Sequence, residues 1–250
     1  NIIKSPYYWI TPLTDLNPPS DWIQDLKPIQ HGTLSQHVYK SLLDFILDGK
    51  VAPGQHLVEQ KLADQLAVSR ISVREAIREL SKDGLVEIIP NSGAFVVRHT
   101  VRDIKEIYQL RAALEGIAIE HLFSLDETER LKRVKSLEGL LTGMGEIEAR
   151  QDRLQGAAID TQFHQELMSL SDHRKAIRIW AHISAQVHVI VYHASQYFPT
   201  FEGFVERHQK IISLLKTGSV ADCTSYVKKH IMDGGQQLMN ALNDSKKDTL

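Results

Sequence analysis

Apolar residues between positions 34 and 99 recur first with the spacing of short amphipathic helices and then with that of strands. The segment "LSQHVYKSLLDFILDGKV" predicts a helix, with the apolar positions Val38, Leu42, Phe45 and Ile46 at helical spacing. After the turn "APGQHL", the segment "VEQKLADQLAV" predicts a second short helix, and "VSRISVREAIRELSKDG" predicts a third. The segment "LVEIIPNSGAFVV" then predicts two short strands around a turn, which is the pattern of a β-hairpin.

The chain beyond residue 100 has helical periodicity throughout, whereas its first 33 residues have no periodic pattern. Five of the eight prolines lie in residues 1–33, which predicts an irregular arm. The predicted fold is mostly α, with one domain at residues 34–99 and an all-helical bundle of about six helices at residues 100–250. The six helices are predicted at residues 101–124, 127–148, 152–171, 174–197, 201–217 and 220–243.

Three arginines recur every four residues along the third predicted helix. Arg70, Arg74 and Arg78 would stack along one side, because residues four apart lie above one another on a helix. A separate apolar side, which would hold the helix on a core, consists of Val73, Ile77 and Leu80. Taken alone, the arginine stripe fits a solvated face paired with neighbouring glutamates.

The hairpin directly after the arginine helix changes that interpretation. Helix, helix, turn, helix and hairpin form the order of a winged helix-turn-helix, whose third helix lies in the major groove of DNA. Guanidinium groups on that helix match the paired acceptors of guanine. Ser72 and Glu75 have the spacing of a capping box, so we predict that the helix opens at Ser72 and leaves Ser69 and Arg70 in the turn before it.

Composition and charge limit how such a protein could bind DNA. The 250 residues have a formal net charge of −2, and residues 34–99 contain eight basic and eight acidic side chains, so phosphate binding must depend on local placement of charge. The single cysteine, Cys223, excludes an intramolecular disulfide and a multi-cysteine zinc site. The sequence has no apolar run of membrane-spanning length and no secretory signal, so we expect no membrane partner and a cytoplasmic location.

Eight of the twelve histidines follow residue 120, and some of them lie on apolar helix sides. Asp160 and His164 are four residues apart and share a helix side with core positions, while His208 and His230 lie in apolar stripes of two later helices. Polar groups at core positions are unfavourable unless they satisfy one another or bind a cation. Each histidine alone fits a hydrogen-bonded core residue, and Asp160 with His164 fits a simple helix pair. Together, three imidazoles and one carboxylate suit Zn²⁺, Ni²⁺ or Mn²⁺.

The segment "PGQHLVEQKLADQLAVSRISVREAIRELSKDGLVEIIPNSGAFV" closely resembles the DNA-binding domain of the GntR superfamily of bacterial transcription regulators. The resemblance implies that Ser69, Arg70, Ser72 and Arg74 contact operator DNA, and that Gly93 in the wing approaches the minor groove. The chain departs from the pattern at two places. Gln60 stands where the pattern usually has Arg, which bears on one DNA contact, and Ile71-Ser72 stands where it often has Thr-Pro, which bears on base preference.

The helical part resembles the FCD class of C-terminal domains, found in the FadR-like subfamily of that superfamily. The segments "LRAALEG", "DTQFHQELM" and "ERHQKIISLLKTGSVADCTSYVKKHI" carry the resemblance. It implies that Asp160, His164, His208 and His230 are metal ligands. It also implies that Arg111, which forms an i,i+4 pair with Glu115, lies near the effector cavity and could clamp a carboxylate.

These observations predict a homodimeric transcription regulator rather than an enzyme. Two winged-helix domains would bind the half-sites of a palindromic operator, and the helical domains would dimerise and bind an effector at a metal-containing site. The family precedent, in which a small organic acid or sugar acid weakens operator binding, favours a repressor. Two alternatives stay open: a metal-dependent enzyme built on the helical domain, and a DNA-binding protein with a purely structural metal.

Overall fold

The structure is a computed structural model that describes residues 34–195 and 202–247. The predicted arm at residues 1–33 lies outside the described residues. Within the described ranges the chain forms three strands and nine helices. In chain order the elements are α1 (Leu34–Leu47), β1 (His56–Leu57), α2 (Glu59–Leu66), α3 (Arg70–Lys82), β2 (Val86–Ile89), β3 (Gly93–Val96), α4 (Val101–Phe123), α5 (Glu127–Arg150), α6 (Arg153–Leu170), α7 (Arg174–Ser195), α8 (Phe204–Thr217) and α9 (Val220–Lys247).

The first unit is a winged helix-turn-helix, as predicted. Helices α1, α2 and α3 pack beside an antiparallel sheet in the strand order β1-β3-β2. In the hairpin, Val86 pairs with Val96 and Ile89 pairs with Gly93. The predicted apolar sides of α1 and α3 are buried in one core, which removes them from water and leaves the opposite side of α3 exposed. The core includes Val38, Leu42, Ile46, Val73, Ile77 and Leu80. Phe45, the fourth apolar position predicted for α1, is instead 49% exposed, and Lys50 Nζ lies 5.1 Å from the centroid of its ring.

The N-cap of helix α3 lies three residues earlier than the predicted one. The N-cap is Ser69, whose hydroxyl accepts the backbone N–H of Ser72 at 3.1 Å, so Arg70 is the first helical residue. The expectation that Ser72 opens the helix is therefore wrong. Two serines three residues apart can each cap a helix, and here the earlier one receives the amide.

Strand β1 was not expected, because the segment "APGQHL" contains only turn signals. His56 and Leu57 nevertheless pair with Phe95 and Ala94 of β3 and complete the sheet. Gly54, with φ of 81°, directs the chain into this short strand. A strand of two residues is too short to produce a period-2 pattern in the sequence.

The second unit consists of helices α4 to α9 and agrees with the predicted set of six. Helix α5 extends to Arg150, and α6 then begins at Arg153, with the Asp152 side chain as its cap. Helix α4 packs mainly on α9, α5 on α8, and α6 on α7. No helix of residues 34–195 and 202–247 is both long and apolar enough to cross a membrane.

Helix α7 contacts the winged-helix unit as well as the helical bundle. Val189 is buried in the core of the winged-helix unit. Gln186 donates its side-chain amide to the carbonyl oxygen of Asp83 at 2.9 Å, and the Nε2 of His188 lies 3.2 Å from the carbonyl oxygen of Leu47. The two units are thus in direct contact through one helix of the bundle.

Candidate functional site

The exposed side of α3 carries the arginines that the sequence singled out. Arg70, Arg74 and Arg78 are all exposed. Ser69 is exposed and Ser72 is half-buried at the N-terminal end of the same helix. The structure therefore brings four of the predicted DNA contacts together at one end of α3, which are Ser69, Arg70, Ser72 and Arg74.

Glu59, the first residue of α2, joins the two arginines nearest that end. Arg74 donates from Nε at 3.1 Å and from Nη2 at 2.8 Å to the two carboxylate oxygens of Glu59. Arg70 Nη2 lies 3.6 Å from the same group. The hydrogen bonds from Arg74 hold the pKa of Glu59 below its usual value, so the group is a carboxylate at neutral pH. Glu59 was not identified from the sequence, because it lies fifteen residues from Arg74.

Gly93 opens strand β3 at the wing and has a φ of 110°, which favours glycine. A Cβ at this position would lie 2.4 Å from Nε2 of His56, whose ring stacks on Phe95 with centroids 4.6 Å apart. The backbone at Gly93 is exposed and therefore open to a ligand.

The two departures from the family pattern lie on α2 and α3. Gln60 donates to Asp64 at 2.7 Å, and Ile71 is 68% exposed beside the arginines.

The four predicted metal ligands come together inside the helical unit. Asp160 and His164 lie on α6, while His208 and His230 come from α8 and α9. One ligand atom from each residue lies within 4.8 Å of the others. His164 and His208 are buried, and Asp160 and His230 are nearly so. The predicted helix-to-helix convergence is present in the structure.

Two imidazoles of this cluster, those of His164 and His208, are held by hydrogen bonds from one ring nitrogen and present the other nitrogen to the cluster. The Nδ1 of His164 donates to Glu115 Oε2 at 2.6 Å, and the Nδ1 of His208 donates to the carbonyl oxygen of Phe204 at 2.8 Å. In a neutral imidazole the opposite nitrogen, Nε2, must then be an acceptor. Both Nε2 atoms are buried and lack a hydrogen-bond partner in the part of the chain that the structure describes.

The electrostatics of the cluster are compatible with a bound cation. The Nε2 of His208 lies 3.3 Å from Asp160 Oδ1, so two acceptors face each other unless a proton or a metal ion lies between them. Burial, together with the neighbouring imidazoles of His164 and His208, lowers the pKa of His230 to about 2. Burial and the charge of Arg111 also lower the pKa of His164. Neutral imidazoles are the form that binds a metal, so the residues present fit a divalent ion.

Arg111 is not free in this structure. It is 3% exposed, donates from Nε to Glu115 at 2.9 Å, and places Nη2 3.5 Å from Asp160 Oδ2. The i,i+4 pair with Glu115 was expected, whereas the contact of Arg111 with Asp160 and that of Glu115 with His164 were not. Burial opposes ionisation of Asp160, but the side chains of His208, His164 and Arg111 outweigh it and hold the pKa of Asp160 well below its usual range.

Comparisons with known proteins agree with this geometry. Residues 34–96 match the family profile of bacterial regulatory proteins, gntR family, and residues 106–233 match the FCD domain. The chain is 29% identical over 192 residues to a probable D-xylose utilization operon transcriptional repressor of Paenarthrobacter nicotinovorans, covering 77% of this chain and 83% of that protein. It is 27% identical over 177 residues to the gluconate operon transcriptional repressor of Bacillus subtilis, covering 69% and 71%.

A solved structure has the same architecture. The putative transcriptional regulator GntR from Rhodococcus sp. RHA1 superposes with a TM-score of 0.71 at 26% identity, covering 83% of this chain and 98% of that one.

Proposed function

Because the chain belongs to the GntR family of bacterial regulatory proteins and carries an FCD domain, we propose that it is a repressor released from its operator by a small carboxylate. It is a DNA-binding transcriptional regulator, and its family and relatives are regulators rather than enzymes. In this proposal residues 34–99 bind DNA, and residues 100–250 bind the effector and form the dimer.

The proposed DNA contacts are at the start of α3 and in the wing. Arg70 and Arg74 would exchange Glu59 for guanine edges or phosphates when α3 enters the major groove. The exposed hydroxyl of Ser69 and the half-buried Ser72 beside them suit phosphate contacts, and the exposed backbone at Gly93 suits the minor groove. The proposal is supported by the concentration of Ser69, Arg70, Ser72 and Arg74 at one end of α3 in a nearly neutral domain.

The proposed effector site is the buried cluster of Asp160, His164, His208 and His230. The observation that carries it is the pair of buried Nε2 atoms that have no hydrogen-bond partner in residues 34–195 and 202–247, one of them 3.3 Å from a carboxylate oxygen. Three nitrogens and one oxygen suit Zn²⁺, Ni²⁺ or Mn²⁺. A bound ion would supply a positive centre with open positions for a carboxylate ligand.

We propose a small organic acid or sugar acid as the effector. The printed names of two relatives concern D-xylose utilization and the gluconate operon, which supports this chemical class. A direct contact from Arg111 to the effector remains a prediction. The guanidinium already contacts Glu115 and Asp160, so an effector carboxylate would have to compete with them.

Helix α7 is the proposed route from this site to the operator-binding surface. It packs on α6, which carries Asp160 and His164, and it also contacts the C-terminal end of α3 through Gln186 and Asp83. An effector that binds the protein more tightly when α7 is in one position than in another would therefore shift the position of α3 relative to DNA. Without such differential binding, the effector could not regulate the operator.

The protein would act as a homodimer on a palindromic operator in the bacterial cytoplasm. One α3 covers a single half-site, so a pair of winged-helix units is needed for useful affinity. Leu110 and Ile117 are exposed and lie two turns apart on the same side of α4, which supports a second copy binding there.

Selection of binding sites from a random double-stranded DNA library tests the proposed function. The full chain should enrich a pseudo-palindrome with half-sites about one helical turn apart. Enrichment of no sequence above background, at salt low enough to retain non-specific binding, would contradict the proposal.

A further inference from the structure

Two buried residues outside the proposed ligand set contact two of its members. Glu115 and Arg111 lie on α4, while Asp160 and His164 lie on α6. Glu115 receives hydrogen bonds from His164 Nδ1 at 2.6 Å and from Arg111 Nε at 2.9 Å. Arg111 then reaches Asp160 Oδ2 at 3.5 Å, so the four side chains form a continuous chain of charged and hydrogen-bonded groups.

The contacts give Asp160 and His164 each an outward atom, which faces α4, and an inward atom, which faces the other ligands. Asp160 turns Oδ2 toward Arg111 and Oδ1 toward the cluster, where it lies 3.3 Å from Nε2 of His208 and 3.9 Å from Nε2 of His164. His164 likewise turns Nδ1 toward Glu115 and Nε2 toward the cluster. Each outward atom has a partner on α4, and each inward atom faces the other ligands.

A carboxylate at position 115 has a specific consequence for the tautomer of His164. An ionised carboxylate can only accept hydrogen bonds, so Nδ1 must carry the proton and Nε2 must present its lone pair. An amide of the same size could instead donate to Nδ1, which would place the proton on Nε2, the atom that faces the cluster. Glu115 is fully buried, and the guanidinium of Arg111 balances its charge there.

We propose that Glu115 and Arg111 are positioning residues of the metal site. Glu115 fixes the tautomer and ring orientation of His164, and Arg111 holds both Glu115 and the outward oxygen of Asp160. This inference rests on the metal site of the proposed function. It differs from the predicted role of Arg111 as an effector clamp, because it requires loss of metal affinity when Arg111 is replaced, even without any acid.

Zinc affinity of the full-length protein, measured by competition with a chromophoric chelator, is the first test. Glu115→Gln should weaken zinc binding about 10- to 100-fold, the usual effect of losing a partner of a ligating histidine. Arg111→Lys should also weaken it, because an ammonium group cannot bridge both carboxylates as the guanidinium does. Glu129→Gln is the matched control, since Glu129 forms an i,i+4 pair with Arg133 on α5. Its zinc affinity should equal that of the wild type.

A second readout begins with the wild type, so its first result does not depend on the folding of any variant. Imidazole ¹⁵N chemical shifts of the metal-free wild type should show His164 protonated at Nδ1 and bare at Nε2, with the signal assigned by its loss in His164→Gln. In Glu115→Gln the two tautomers should mix, which a merely structural salt bridge would not produce.

The outcomes separate this inference from the proposed function. Wild-type protein that binds none of Zn²⁺, Ni²⁺ and Mn²⁺ would overturn both the metal site and the inference. Wild-type zinc affinity retained in Glu115→Gln, or a His164 protonated at Nε2 in the wild type, would overturn the inference and leave the metal site standing.

Discussion

Gln186 of helix α7 donates its side-chain amide to the carbonyl oxygen of Asp83, the residue that ends helix α3, at 2.9 Å. Gly84 leaves room for this contact, since a Cβ there would lie 2.4 Å from the amide nitrogen of Gln186. The carboxylate of Asp83 also accepts the Tyr39 hydroxyl at 2.7 Å. One residue at the end of α3 thus joins α1, α3 and α7.

Replacement of Gln186 should weaken communication between the two units. Gln186→Ala removes one hydrogen bond, worth about 0.5–1.5 kcal/mol. We expect the ratio of operator affinities without and with the effector acid, both measured on zinc-loaded protein, to move toward one by about 2- to 10-fold. Fluorescence anisotropy with the selected operator measures both affinities. Ser184→Ala, on the same helix, removes a hydroxyl that donates to the carbonyl oxygen of Ala181 within its own turn, and should keep the wild-type ratio.

The arginines of α3 should decide operator affinity. Arg70→Ala and Arg74→Ala should each lose specific binding by about 1–3 kcal/mol, the range for one good bidentate base contact. Gel-shift titration at fixed salt measures the loss, and circular dichroism checks the fold. Arg102→Ala removes an exposed arginine that pairs with Glu106 outside the winged-helix unit, and should bind normally. Wild-type affinity in both α3 variants would place these arginines away from DNA.

Dimerisation should depend on the exposed apolar side of α4. Ile117 is 40% exposed, and Ile117→Glu should give monomers at micromolar concentration in light scattering, because a buried carboxylate at an interface is strongly unfavourable. Leu131→Glu on α5, where Leu131 is 36% exposed, serves as the control and should remain dimeric. A monomeric wild type would remove the reason for a palindromic operator.

Metal binding should stabilise the protein because the ligands come from three helices. Zinc should raise the melting temperature of the wild type at neutral pH. The pKa values of His164 and His230 lie below the usual 6.5, so the increase should persist below that pH and disappear only when protons displace the ion from the imidazoles.

Elemental analysis after chelation and reconstitution compares the metal content of the wild type with that of a variant without the three histidines. The triple variant His164→Ala/His208→Ala/His230→Ala should contain none. Equal metal content in the wild type and the triple variant would show that these histidines are core residues and not metal ligands.

The local parts of this site were accessible from the sequence. Asp160 and His164 are four residues apart, and His208 lies in an apolar stripe, so their inward positions follow from helical spacing alone. That all four ligands meet at one point came from the resemblance to the FCD class, since spacing along the chain does not determine how α6, α8 and α9 pack.

The contacts that could not be predicted are those between residues distant in the chain. Glu115 and His164 are separated by 49 residues, and Gln186 and Asp83 by 103, so neither pair leaves a periodic signal. The wrong cap at Ser72 has a local cause: two serines of equal capping ability lie three residues apart, and the pattern of residues does not distinguish them.

The central claim is that a small acid controls operator binding through the buried Asp/His cluster. Its most direct test is the operator affinity of the zinc-loaded full chain, measured by anisotropy against a panel of organic acids and sugar acids. We predict that at least one acid weakens operator binding about 5- to 150-fold in the wild type and has no such effect on His208→Ala. Operator affinity that is unchanged by every acid in the panel, with zinc bound, would contradict the claim and leave the metal a purely structural role.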